Sequence, residues 1–93
     1  SDIDERNFTY TIGTTIMNQK FLIGELSSVV RAFYYYQRIP TVSNKENFQN
    51  VAYAFQEDVN AYYHTSMTVK ECVLFIGELK KQQEFNKEEQ KKL

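Results

Sequence analysis

The sequence contains one histidine, His64, and one cysteine, Cys72, the two residue types that most often bind zinc. A structural zinc site needs about four such ligands, which one copy of this chain does not supply. Cys72 lies on an apolar helical stripe, so we expect a buried and inert thiol. His64 lies at a predicted helix end or turn. We therefore expect no bound metal and no nucleophilic catalysis.

Other patterns that support catalysis are also missing from the sequence. The adjacent acids Glu57–Asp58 and Glu88–Glu89 diverge by about 100° on a helix, so we expect them to be solvated charges rather than an acid–base pair. The three glycines are isolated and form no phosphate-binding loop. We expect a protein that is not an enzyme and that has no cofactor.

The strongest candidate for a binding surface is the segment from Arg31 to Arg38, which contains three consecutive tyrosines. Three successive helical residues point in three directions, so at least one ring must face outward. We take Arg31, Tyr34, Tyr35 and Arg38 as a candidate partner surface. Arginine with tyrosine suits protein hot spots and also base stacking on single strands. Protein is favoured because 11 basic and 12 acidic residues give a net charge of −1.

Length and composition indicate one globular domain over residues 1–93, with 42% hydrophobic residues. A chain of 93 residues has a small core, so self-association would help to stabilise it. The single cysteine excludes an internal disulfide and fits a reducing compartment, so a cytoplasmic location is expected. The apolar runs are too short to span a bilayer, so no membrane partner is expected.

Apolar periodicity and capping residues predict three helices, at about residues 5–37, 44–63 and 69–90. Pro40 breaks the chain after the first helix. The pairs Ser43/Glu46 and Thr68/Glu71 are capping boxes that predict the starts of the second and third helices. Residues 80–93 are predicted to form a solvated helical tail. Residues 8–16 also have strand-type propensity, but the helical period runs through them and no other segment reads as a strand.

The first helix carries apolar residues on two opposite faces. The core face runs from Phe8 to Phe33. The second face has heptad-like spacing and is predicted to be a self-association interface, with the members Tyr10, Met17, Phe21, Gly24, Ser28, Ala32 and Tyr35. Two arrangements remain open: the first helix lies between the other two, or its second face pairs with another copy. The second arrangement is favoured because a small chain gains most from it.

Two interior glycines interrupt this helical pattern. Glycine inside a helix costs about 1 kcal/mol relative to alanine. We therefore expect Gly24 and Gly77 each to permit a tight helix crossing.

These patterns predict an all-α fold, a bundle-like arrangement of three helices with a long first helix and an extended polar third helix. We expect a homodimer or higher oligomer that acts by contacting another, unidentified protein. One alternative is a nucleic-acid-binding regulator that uses Arg31, Tyr35, Arg38 and lysines of the third helix. A second alternative is an oligomer that holds a small ligand in tyrosine-lined pockets between subunits.

Overall fold

The computed structural model describes the backbone of residues 2–92 and the side chains of residues 14–92. It contains α1 (Asp2–Arg38), α2 (Val42–Tyr63) and α3 (Val69–Lys92), and each helix packs against the other two. The all-α prediction is confirmed, and no strand occurs within residues 2–92. Residues 8–16 are helical, so the strand alternative is wrong. The long period of apolar residues outweighs the local strand propensity there.

The turn between α1 and α2 differs from the predicted one. Thr41, not Ser43, caps α2: its Oγ1 accepts from the backbone N–H of Asn44 at 3.1 Å. Asn44 Nδ2 also donates to the carbonyl of Ile39 at 2.8 Å. The helix begins two residues earlier than predicted because Thr41, directly after Pro40, is extended and already offers a hydroxyl.

The turn between α2 and α3 is organised by the side chain of Asn60. Its Oδ1 accepts from the backbone N–H of Met67 at 2.8 Å and from Thr65 Oγ1 at 2.7 Å. Its Nδ2 donates to the carbonyl of Met67 at 2.9 Å. His64 takes a left-handed conformation with φ 56°, and its N–H bonds to the carbonyl of Asn60. The loop therefore folds back along α2 before α3 begins.

The predicted capping box at the start of α3 is confirmed. Thr68 Oγ1 accepts from the backbone N–H of Glu71 at 3.1 Å, and Glu71 Oε1 accepts from the N–H of Thr68 at 3.2 Å. The polar end of α3 is mostly exposed, as predicted. Gln83 is half-buried, however, and donates to Gln19 Oε1 at 3.1 Å, so part of this tail packs on α1.

A small core fills the space where the three helices meet. It consists of buried residues from every helix, namely Leu22, Leu26, Val29, Ala52, Phe55, Val59, Cys72 and Ile76. The expected burial of Cys72 on an apolar stripe of α3 is confirmed. On α1 the core face is buried at Leu22, Leu26 and Val29, whereas Ile16 and Phe33 are more than two-fifths exposed. Phe8 and Ile12 lie outside the described side chains.

The protein is elongated, with extents of 57 × 33 × 18 Å. The longest dimension matches α1, whose 37 residues span about 55 Å. The radius of gyration is 16.5 Å, against about 12 Å for a compact chain of this length. α2 and α3 are much shorter than α1, so they leave part of its surface uncovered.

Candidate interaction surface

The second face predicted for α1 is exposed over most of its length. Met17 is 72% exposed, Phe21 61% and Tyr35 53%, and Gly24 and Ser28 are exposed between them. Positions 17 and 35 are five helical turns apart and therefore lie on the same side of the helix. We call these five residues the outer face. They form a stripe of large apolar side chains on either side of two small residues.

Two predicted members, Ala32 and Tyr10, are left out of the outer face for different reasons. Ala32 is buried within the protomer and is not available to a second copy. Simple helical periodicity put it at the edge of the stripe, where a neighbouring helix decides whether a residue is covered. The side chain of Tyr10 lies outside the described residues.

The glycines are not points of close approach inside the protomer. A methyl group added at Gly24 or at Gly77 would meet nothing within 4 Å. The expectation of a tight crossing at Gly77 within the chain is therefore wrong, because no neighbouring helix comes near it. Gly24 is exposed on the outer face of α1. The hydroxyl of Ser28 donates to the carbonyl of Gly24 at 3.4 Å.

The predicted Arg/Tyr surface is partly used inside the protomer. Arg38 lies over the ring of Tyr34 at 5.0 Å from the centroid and donates to its hydroxyl. Tyr34 and Tyr35 are both exposed and meet edge to face, whereas Tyr36 turns inward and stacks on Phe48. The three tyrosines diverge as predicted. Arg38 already covers a face of Tyr34, which reduces the room for base stacking there.

A second exposed apolar feature lies between α1 and α3. This groove, of about 420 Å³, is lined by Leu26, Ser27, Val30, Arg31, Tyr34 and Lys80, and we call it the Val30 groove. Val30 is 56% exposed although the helical period put it on the core side. The sequence does not reveal this groove, because the position of α3 relative to α1 is not visible in a local pattern.

Two carboxyl groups meet between α1 and α2, which the sequence analysis also missed. Asp58 was expected to be solvated, but it is half-buried and faces Glu25. Glu25 Oε1 is buried without a hydrogen-bond partner. Burial is the main cause that raises the pKa of Glu25 to about 7, and the neighbouring carboxyl group of Asp58 raises it further. The spacing of Glu25 between Leu22 and Val29, on the core side of α1, was the signal that could have revealed it.

The two residues considered for metal binding or catalysis, Cys72 and His64, have different environments. Cys72 is fully buried, and this burial, together with Glu71, raises the pKa of its thiol. His64 is exposed at the end of α2. Within the described residues, no three side chains of the histidine, cysteine, aspartate or glutamate types cluster as a metal site would require.

In the described part of the chain, no helix has the length and apolarity needed to cross a membrane. Comparisons with models of known protein families, with curated proteins and with solved structures find nothing that matches this chain.

Proposed function

We propose that this protein is a non-enzymatic helical binding module that self-associates through the outer face of α1 and acts by contacting another protein. The observation that carries the proposal is the exposure of Met17, Phe21 and Tyr35 on one face of a helix that contributes to the core through a different face. Contiguous apolar surface of this kind is typical of interfaces. The most economical occupant is a second copy, because an isologous contact covers the same stripe on both chains.

The surface area of the protomer supports this proposal. The chain exposes 7368 Å², whereas a compact monomer of 11.0 kDa exposes roughly 5,600 Å². The excess is about 1,700 Å², and obligate interfaces bury on the order of 1,000–2,500 Å² on each partner. The exposed surface is therefore sufficient for a stable homodimer.

The spacing of the outer face favours an antiparallel pair of α1 helices. Positions 17 and 35 are symmetric about residue 26, and so are positions 24 and 28. An antiparallel contact therefore places Met17 against Tyr35 of the other copy and Gly24 against Ser28. A parallel contact would instead align the helix dipoles unfavourably.

Cysteine crosslinking tests this register. We expect a Met17→Cys chain mixed with a Tyr35→Cys chain to form a disulfide-linked dimer under mild oxidation, because the two positions face each other. Each single variant alone should crosslink poorly, since its cysteines lie far apart in the pair. Non-reducing electrophoresis is the measurement. Efficient crosslinking of Met17→Cys with itself would instead indicate a parallel pair and contradict the proposed register.

Polar substitution of the outer face tests the association itself. We expect Phe21→Ser to weaken self-association by at least about tenfold, because it removes roughly 1.5–3 kcal/mol of apolar burial from each copy. Phe85→Ser is a matched control. The exposed fraction of Phe85, 64%, is similar to the 61% of Phe21, but Phe85 lies on the polar tail of α3. Sedimentation equilibrium over a range of concentrations measures both. A wild-type protein that stays monomeric at millimolar concentration would exclude self-association, and equal effects of the two variants would exclude the outer face.

A further inference from the structure

The Val30 groove is an apolar surface that no part of the described chain covers. Its floor is formed by Leu26, which is buried, and by Val30, which is more than half exposed. Its position differs from that of the outer face, because Val30 and Phe21 lie on opposite sides of α1. The groove is therefore a second surface of the protein, independent of the proposed self-association face.

The groove exists because α2 and α3 pack on different stretches of α1. α2 covers the end of α1, where Phe48 contacts Phe33 and Tyr36. α3 reaches the groove with Lys80, and its later residues face Ile16 to Ile23 instead. Beyond Leu26, α1 therefore has a helical neighbour on one side and open space on the other.

The charges around the groove are of one sign. Arg31 and Lys80 line it, and no carboxylate does. Within the described residues neither cation has an ion-pair partner, since the ion pairs of α3 use Lys81, Lys91 and Lys92. Two unpaired cations beside an apolar floor complement a segment that carries apolar and acidic residues together.

We propose that the Val30 groove is the docking site for an acidic amphipathic helix of a partner protein, an inference that rests on the proposed function of the chain as a binding module. Apolar side chains of the partner contact Leu26 and Val30, and its flanking carboxylates pair with Arg31 and Lys80. Five of the six lining residues follow one side of α1 and Lys80 of α3 flanks them, so a helical segment can lie along this side of α1. A nucleic acid fits less well, because Arg38 already covers a face of Tyr34 and the floor is apolar.

The test uses isotope-labelled full-length protein and a synthetic helical peptide of about four turns. The peptide carries leucines at positions i, i+3, i+4 and i+7 and glutamates beside them, and a matched peptide carries lysines in place of the glutamates. We expect the acidic peptide to shift the amide resonances of Val30 and Tyr34 and to bind more weakly at high salt. The basic peptide is expected to bind at least about tenfold more weakly.

Charge reversal in the protein identifies the contact. We expect Arg31→Glu and Lys80→Glu each to weaken binding of the acidic peptide by roughly tenfold. Lys81→Glu is the matched control, because Lys81 pairs with Glu78 and does not line the groove. Circular dichroism of each variant checks that these substitutions of exposed residues leave the helices intact.

Three results would overturn the inference: equal binding of the two peptides, resonance shifts confined to the outer face, or displacement of the acidic peptide by a single-stranded oligonucleotide at the same groove. The proposed function is tested separately. A protein that self-associates but ignores the acidic peptide contradicts this inference alone. A strict monomer that binds the peptide at Val30 supports the groove and contradicts self-association.

Discussion

Replacing Glu25 by glutamine is expected to raise the free energy of unfolding by about 1–2 kcal/mol at pH 8 and to leave it nearly unchanged at pH 5. Glu25 lies between α1 and α2, where its Oε1 is buried without a partner and Asp58 faces it. At pH 8, above the pKa of about 7, the Glu25 carboxyl is charged in a partly dry contact that Asp58 faces. Glutamine removes this charge and supplies a donor for Asp58.

The direction of this effect follows from the pKa of Glu25 in the folded and unfolded chains. It is about 7 in the folded protein and near 4.5 when the chain is unfolded. The native state therefore binds the proton more tightly, so the contribution of this carboxyl to stability is complete below pH 4.5. That contribution is lost as the pH rises through 7. For a group sealed from water the shift would correspond to roughly 3 kcal/mol, and half-burial reduces the expected effect.

Urea unfolding at several pH values between 5 and 8 measures this difference. The wild-type protein should lose stability across that range, and the Glu25→Gln protein should lose less. Glu57→Gln is the control. Glu57 is exposed beside Asp58, so this substitution removes the same charge from the same region. If the free energies of unfolding of the wild-type and Glu25→Gln proteins change equally with pH between 5 and 8, the carboxyl pair does not control stability.

Replacing Gly24 by leucine is expected to weaken self-association by about tenfold or more, while stabilising the protomer by roughly 1 kcal/mol. Stabilisation follows because leucine favours a helix over glycine and a Cβ added at Gly24 meets nothing within 4 Å. Association should weaken because, in the proposed antiparallel pair, the leucine would separate the two helices where Gly24 faces Ser28. Since leucine also adds apolar surface, a loss of association can come only from its bulk.

Gly77→Leu provides the matched comparison for this experiment. Gly77 is also inside a helix, and a Cβ added there also meets nothing within 4 Å. Both variants should gain stability in thermal unfolding at low concentration, whereas Gly24→Leu alone should lose mass in light scattering. If Gly24→Leu associates as strongly as the wild type, the helices do not approach each other at this position.

The helices themselves could be predicted from the sequence, because helix formation depends on signals within a few turns of chain. The 3.6-residue period, the break at Pro40 and the reciprocal pairing of Thr68 with Glu71 are of this kind, and all three appear in the structure. The residue that caps α2 is not fixed by local sequence signals alone. Thr41 and Ser43 both offer a hydroxyl, and the backbone after Pro40 decides between them.

Which surfaces are covered was decided only by the tertiary structure. Periodicity assigns a residue to a face of α1, but burial depends on where α2 and α3 lie along that helix. This is why Ala32 is buried although it was assigned to the exposed stripe, and why Val30 is exposed although it was assigned to the core side. For the same reason Asp58, one of two adjacent acids in the sequence, faces Glu25 and changes its pKa.

The sequence by itself therefore determined the helices, their inward stripes and the apolar outer face of α1. Those features follow from local propensity and from the period of the helix. The carboxyl pair and the Val30 groove came from the tertiary structure alone, because each is made by residues from two helices that are far apart in the chain. Their existence depends on how short helices pack along a long one, and no local pattern carries that information.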